Sequence, residues 1–238
     1  MRGGLDARAV VRDGALREGR LSVRGLDLRG QDDRFRFLGL GGEVVLASAE
    51  PAESALGWRA GAVGDIVFGP ALLPLQSSGG ELRLGEPVGV DLLGGRLVFD
   101  QAAMRLPADG RGMRLELGMA VEAIQVEQLA QAFGWPAFGG TLSGRIPAAR
   151  YEDERLVLEG GLSMQVFDGR VDVGSLQMDR PFGVLPTLSA DVLVHELDLY
   201  AMTSVFGFGH ISGRLSGSID GLRLVGWQLS SFDARFAT

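Results

Sequence analysis

Between Met113 and Val121 the chain alternates strictly. Met113, Leu115, Leu117, Met119 and Val121 take every second position, and Arg114, Glu116 and then Glu122 are charged. The stretch from Leu156 to Val166 repeats the habit: Leu156, Leu158, Leu162, Met164 and Val166 share one parity, while Arg155, Glu159, Ser163 and Gln165 share the other. Successive side chains of a strand point to opposite faces, so each stretch predicts a strand with one apolar and one wetted face. "LSVRGLDLRG", "RFRFLGL", "ELRLGEPVGVDLL" and "GRLVFD" show the same period less cleanly. Breaks such as Pro107 to Gly110 and Asp168-Gly169 separate the runs. The 37 glycines, well above the roughly 7% of ordinary chains, sit between short apolar runs and punctuate them. This pattern predicts a mostly-β fold built on a long antiparallel sheet.

Helical periodicity occurs in two short places. Val126, Leu129, Ala130 and Phe133 fall at i, i+3, i+4 and i+7, and Leu199, Met202 and Phe206 repeat the spacing. Each predicts about two helical turns, too short to stand without packing. Both precede one motif written twice, "FGWPAFGGTLSGRI" from Phe133 and "FGFGHISGRLSGSI" from Phe206. At an offset of 73, Val121 meets Val194, Val126 meets Leu199, Phe133 meets Phe206, and Leu142-Ser143-Gly144 meets Leu215-Ser216-Gly217. "FDGRV" from Phe167 aligns with "FDARF" from Phe232 once eight residues are dropped from the second copy.

Self-similarity at fixed spacing points to stacked units that bury their apolar edges against one another. The expected organisation is a β-rich segment over 1–120 without a clean repeat, a first unit over 121–193 (short helix, glycine turn, β-meander) and a truncated second unit over 194–238. One continuous sheet is expected to run through them. The chain stops within a strand-like stretch, "FDARFAT", so a fragment of something longer is expected.

Composition narrows the function classes. Net charge is −7, and all positive charge is arginine. An acidic chain is a poor partner for nucleic acid, which needs a clustered basic surface. The absence of cysteine removes disulfides, thiolate catalysis and zinc–thiolate sites. The N-terminus lacks the apolar core of a signal peptide, and no stretch reaches the ~18 apolar residues of a membrane span.

Candidate chemistry is thin. His195 and His210 lack the company of spaced acidic ligands on one face. "GTLSG" and "GRLSG" are not the G-x-S-x-G of a nucleophile elbow. Ser143 and Ser216 read as strand positions beside a glycine that admits close backbone approach. The acids Asp32-Asp33 and Glu152, Asp153 and Glu154 read as solvated hairpin tips. Trp135 and Phe208 read as anchors of the helix on the sheet. Neither catalysis, a metal nor a cofactor is expected.

A sheet with one apolar face must have that face covered. Either the sheet folds over itself as a β-sandwich or a β-solenoid, or it curves into a groove that a guest fills. The repeated unit "V-x-x-[IL]-x-[VL]-x-x-[LM]…FG…G-x-LSG-x-I", from Val121 to Thr238, resembles the C-terminal repeat of the AsmA-like proteins, and most of all the YdbH type labelled for dicarboxylate transport. That family is similar to bridge-like lipid-transfer proteins with a repeating β-groove. The resemblance implies a taco-like curved sheet in the periplasm, tethered to the inner membrane through a segment outside this chain. It implies phospholipid as ligand, envelope proteins at each end of the bridge and transport toward the outer membrane. Under that reading acyl chains lie against Leu115, Leu117, Leu142, Ile146, Leu156, Leu158, Leu162, Met164, Val166, Leu215, Ile219, Leu222 and Leu224, each supplying apolar area alone. A non-catalytic all-β envelope scaffold or adhesin is the alternative.

Overall fold

The computed structural model describes residues 3–12, 15–30, 35–46, 50–105, 112–181 and 183–238. The fold is mostly β, with strands paired antiparallel and two short helices. It divides into two compact units: residues 1–92 with 96–118, and residues 93–95 with 119–238. The acids Asp32-Asp33 and the break from Pro107 to Gly110 lie outside the described residues.

The first unit holds β1 (Gly4–Arg12), β2 (Ala15–Arg29), β3 (Phe35–Leu46), β4 (Ala52–Trp58), β5 (Ala60–Val63), β6 (Ile66–Phe68), β7 (Ala71–Ser78), β8 (Glu81–Leu84), β9 (Val88–Leu92) and most of β10 (Gly95–Arg105). β3 divides its ladder, pairing Gly41–Glu43 with β4 and Phe35–Leu38 with β5. Short strands then follow in hairpins. Phe37, Trp58 and Phe68 meet edge to face at centroid distances of 5.5–6.0 Å. The Trp58 indole N–H donates to the Gly69 carbonyl at 3.0 Å, which satisfies its polar end. Glu81 accepts from Arg83 and, at 2.6 Å, from Arg105; these two guanidinium groups hold its carboxyl below the ordinary value.

β11 (Arg114–Gln125) starts in the first unit and ends in the second. The second unit continues with α1 (Val126–Ala132), β12 (Gly140–Glu152), β13 (Arg155–Val166), β14 (Gly169–Asp179), β15 (Thr187–Asp198), α2 (Leu199–Phe206), β16 (Arg214–Val225) and β17 (Gln228–Ala237). β12 to β15 run as successive antiparallel neighbours, and β15 to β17 continue the ladder after α2. Every one of these pairings carries a register shift, as at Arg145/Ala148 in β12 and Gly174/Gln177 in β14. Such bulges bend strands and increase twist, so the unit is a curved meander.

The two helices form where the 3.6 period predicts them. The strand that follows corrects the alignment of the copies. β13 and β17 begin 73 residues apart, at Arg155 and Gln228. The turns before them correspond residue for residue: Asp153 (φ 49°) and Glu154 (61°) match Gly226 (56°) and Trp227 (66°). Phe167-Asp168 is itself a turn with φ of 48° and 54°, whereas Phe232-Asp233 lies inside β17 with Asp233 opposite Asp220. The likeness of "FDGRV" to "FDARF" therefore joins unlike places, and the second copy keeps the offset of 73 without a deletion.

Candidate functional site

The repeat's invariant letters are backbone devices. Ala123 and Glu196, 73 apart, both take left-handed φ (49° and 52°) just before a helix. Their N–H groups are accepted by the hydroxyls of Ser143 and Ser216, at 3.1 and 3.0 Å. The serine of each "LSG" thus ties a kinked strand end to the strand after the helix. The next residue, Gly144 or Gly217, sits where a Cβ would run into the carbonyl of Gly161 or Arg235. Sequence reasoning anticipated the close approach but not the serine's acceptor role. The helices end alike: Gly134 and Gly207 have φ of 68° and 70°, and Trp135 and Phe208 donate N–H to the carbonyls of Ala130 and Thr203 at 2.8 and 3.0 Å.

A third partial occurrence lies upstream. The turn Leu93-Gly94-Gly95 matches Phe167-Asp168-Gly169: Leu93 has φ 47°, and its carbonyl accepts Gln125 N–H at 2.9 Å, as that of Phe167 accepts Asp198 N–H at 2.8 Å. A Cβ at Gly95 or Gly169 would strike the carbonyls of Glu122 and Ala123, or of His195 and Glu196. Only the terminal glycine survives as a shared letter, which is why self-alignment does not find it.

These devices set one face of the meander. Residues opposite each other in a ladder share a face. Leu142, Met164, Val171 and Val194 form one cross-strand row. Leu162, Val173, Val192 and Ile219 form a second. Leu156, Met178, Leu188, Leu224 and Leu229 form a third. Val166, Leu215 and Leu222 pack in the same cluster as the first row and as Val173, Val192 and Ile219 of the second, with Val126 and Met202 from the helices. Of the eleven expected lining residues in this unit, Ile146 and Val166 are buried. The other nine (Leu142, Leu156, Leu158, Leu162, Met164, Leu215, Ile219, Leu222 and Leu224) are partly exposed. Leu115 and Leu117, in the first unit, are also partly exposed.

The sequence reading omitted every contribution of β14 and β15: Val171, Val173, Met178, Leu188, Val192, Val194 and Leu197. The even parity of Leu188, Val192 and Val194 was a usable signal, masked by Leu193 on the other face and by the bulges.

The helices cover one end of the apolar face. Phe138 stacks on Phe167 at 5.0 Å and meets Phe206 at 5.9 Å. At the other end Pro186, Leu188, Leu224 and Trp227 line a shallow apolar notch. Trp135 and Phe208 do not anchor the helices to the sheet. They are 55% and 74% exposed and stack on Phe133 and Phe206. Phe138 and Phe167 fill the anchoring place instead.

The opposite face is mixed: Leu193 is exposed there beside carboxylates and serines, and Leu162 and Val173 reach the rim of its hollow. An open hollow of about 430 Å³ is floored by Gly144, Gly161 and Gly174 and flanked by Ser163, Asp172, Ser175 and Asp191. The Ser163 hydroxyl above all, then Arg170 and His195, keeps the Asp172 carboxyl below its ordinary value; the Gly221 N–H and Ser175 do the same for Asp191. His195 Nε2 lies 3.2 Å from Asp172. His210 is exposed and meets Tyr200 edge to face. Asp153 and Glu154 form the exposed tip of the β12–β13 hairpin. Among the described residues no three His, Asp or Glu side chains gather as a metal cluster, and no helix is long and apolar enough to cross a membrane.

No protein-family model, curated protein or solved structure matches this chain.

Proposed function

We propose that this chain is a segment of a periplasmic AsmA-like bridge protein. It binds phospholipid acyl chains on an apolar groove face and helps pass lipid between the inner and outer membranes. The observation that carries the reading is the half-covered apolar face of β12 to β17, where nine expected lining residues share one side of a curved meander and stay partly open to solvent. A monomer leaves a large contiguous apolar surface open mainly where something else covers it. Acyl chains supply that cover at about 0.8 kcal/mol per buried CH₂, and the headgroup stays in water at the rim. These side chains contribute area and no chemistry, so one strip can take successive lipids without a fixed binding pose. The inner-membrane tether, contributed by a segment outside this chain, and the envelope proteins at each end belong to the same proposal.

The test is lipid extraction and native mass spectrometry on the chain purified from bacteria. About one or more phospholipids per chain is the expected result. A folded, lipid-free protein would leave a non-catalytic all-β scaffold. A second arm places Asp at Leu158 or Met164. Lipid should be lost while the far-ultraviolet circular dichroism and cooperative unfolding are retained; loss of folding instead identifies an ordinary core.

A further inference from the structure

The first repeat is covered in a way that the second is not. β14 lies along β13, placing Val173 beside Leu162 and Met178 beside Leu156. The turn before β14 supplies Phe167, and the helix after β15 supplies Phe206; both rings close on Phe138. Each covered residue has a counterpart in the second repeat. Phe138 corresponds to Ile211 by the offset of 73. β13 corresponds to β17, so Leu156 corresponds to Leu229. By ladder position, one residue past the offset, Leu162, which faces Gly144, corresponds to Phe236, which faces Gly217. Phe138, Leu156 and Leu162 are half-buried, whereas Ile211, Leu229 and Phe236 are 51%, 58% and 49% exposed. Nine of the ten residues of β17 are exposed.

We propose that the outer flank of β17, with Ile211 and Phe208, is a docking surface for one more strand–helix unit of this repeat's own chemistry. The occupant is an antiparallel strand that sets aliphatic side chains beside Leu229 and Phe236. It is preceded by an aromatic turn, and a second strand leads from it to a short helix whose aromatic residue closes on Ile211. The seam between the two visible copies is the template, and the proposed interface continues it by one repeat. Main-chain pairing supplies affinity, as in other strand additions, and the aliphatic row sets register. The inference does not rest on the lipid reading.

The experiment measures hydrogen exchange of the β17 amides in the 238-residue chain, alone and with the β14 sequence Phe167–Asp179 appended after Thr238 through a flexible Gly-Ser linker. The linker supplies a millimolar-order effective concentration. Exchange from Leu229 to Phe236 should slow by about tenfold or more. Arg at the appended copies of Val173 and Met178 should restore the rate of the unextended chain. The β13 amides, protected in every sample, report that the protein is folded. Unchanged exchange with the appended strand overturns the proposal, as does equal protection by the Arg-bearing strand. Protection of the unextended chain that grows with its concentration assigns the surface to a second copy. Protection that requires phosphatidylethanolamine–phosphatidylglycerol vesicles assigns it to a bilayer. Either result replaces the repeat-like partner.

Discussion

The two repeat copies share their backbone and differ in what holds it. Gly144 and Gly217 admit a neighbouring carbonyl, and Ser143 and Ser216 accept the same kinked N–H. Where the copies diverge, the second uses polar groups that the first lacks. Asp198 caps α2 by accepting Ala201 N–H at 2.9 Å, while Gln125 at the start of α1 makes no side-chain cap. Thr203 replaces Ala130: its hydroxyl donates to the Leu199 carbonyl at 2.7 Å and accepts Ile211 N–H at 3.3 Å. Phe138, packed between two rings, becomes the exposed Ile211. The first copy is held by neighbours on both sides, and the second compensates with local hydrogen bonds for a flank left open.

The sharpest way to break this comparison is to add a side chain at the shared glycine. Gly144→Val forces a Cβ into the Gly161 carbonyl in the middle of the meander, where β13 is held by β14 as well. A loss of about 3 kcal/mol in denaturant unfolding is expected, at the upper end of overpacking costs. Gly217→Val makes the equivalent clash with Arg235 in β17, whose side chains are mostly exposed, so the strand can shift at a cost of about 1 kcal/mol. Equal losses would show β17 to be as firmly held as β13. Next in size is Thr203→Val, which keeps shape but removes the buried hydroxyl from its backbone partners at Leu199, Tyr200 and Ile211. It should cost about 1.5 kcal/mol, while Ala130→Ser in α1, with no such duty to perform, should change stability far less. A neutral Thr203→Val would mean that α2 does not depend on local bonds.

What the sequence discloses follows from what repeats in it. The strands, the two helices and the offset of 73 are legible because alternation, the 3.6 period and glycine spacing leave letters behind. The lining parity of β13 is legible for the same reason: Leu156, Leu158, Leu162, Met164 and Val166 stay in phase. Bulges erase that phase. The shift at Gly174/Gln177 separates Val173 from Met178 in parity, although both lie on the apolar face. The third occurrence of the turn at Leu93–Gly95 is invisible because it is specified by φ angles and carbonyl approaches, which many letters satisfy. Trp135 and Phe208 were misread because an aromatic beside a helix is usually packed down, whereas these two follow a left-handed glycine that turns them outward.

A finer comparison uses the serines. Ser143→Ala and Ser216→Ala each strand one N–H at a kink that remains near solvent, so each should cost about 1 kcal/mol or less. Ser216 also donates to Glu196 at 2.9 Å, and Arg214 donates to the Glu196 carbonyl at 3.0 Å. Ser216→Ala should therefore exceed Ser143→Ala by a few tenths of a kcal/mol. The reverse order in paired unfolding curves would show that this added network contributes nothing.

The smallest effect is a pH dependence at the seam where β15 meets the second copy's β16. Asp191 Oδ1 accepts the N–H of Gly221, a residue with φ 60° inside β16, at 2.9 Å. The positions 73 residues earlier are Gly118 and Ala148, so the first copy has no carboxylate for this duty. The Gly221 N–H, and secondarily Ser175, lowers the folded-state value of Asp191. A carboxylate lowered on folding adds stability above its unfolded value, near 4, and that stability disappears as pH falls through the lower folded value. Melting temperature should thus decline with acid below about pH 5, and Asp191→Asn should flatten part of that decline while changing little at pH 7, because its amide oxygen still accepts from Gly221. Asp172→Asn, whose carboxylate faces Ser163, Arg170 and His195, gives the control for a lowered carboxylate on β14 in the same meander. If Asp191→Asn leaves the acid slope intact while Asp172→Asn flattens it, the bond to Gly221 does not stabilise the second copy. The second copy is then held by α2's cap, Thr203 and the Ser216–Glu196–Arg214 bonds without it.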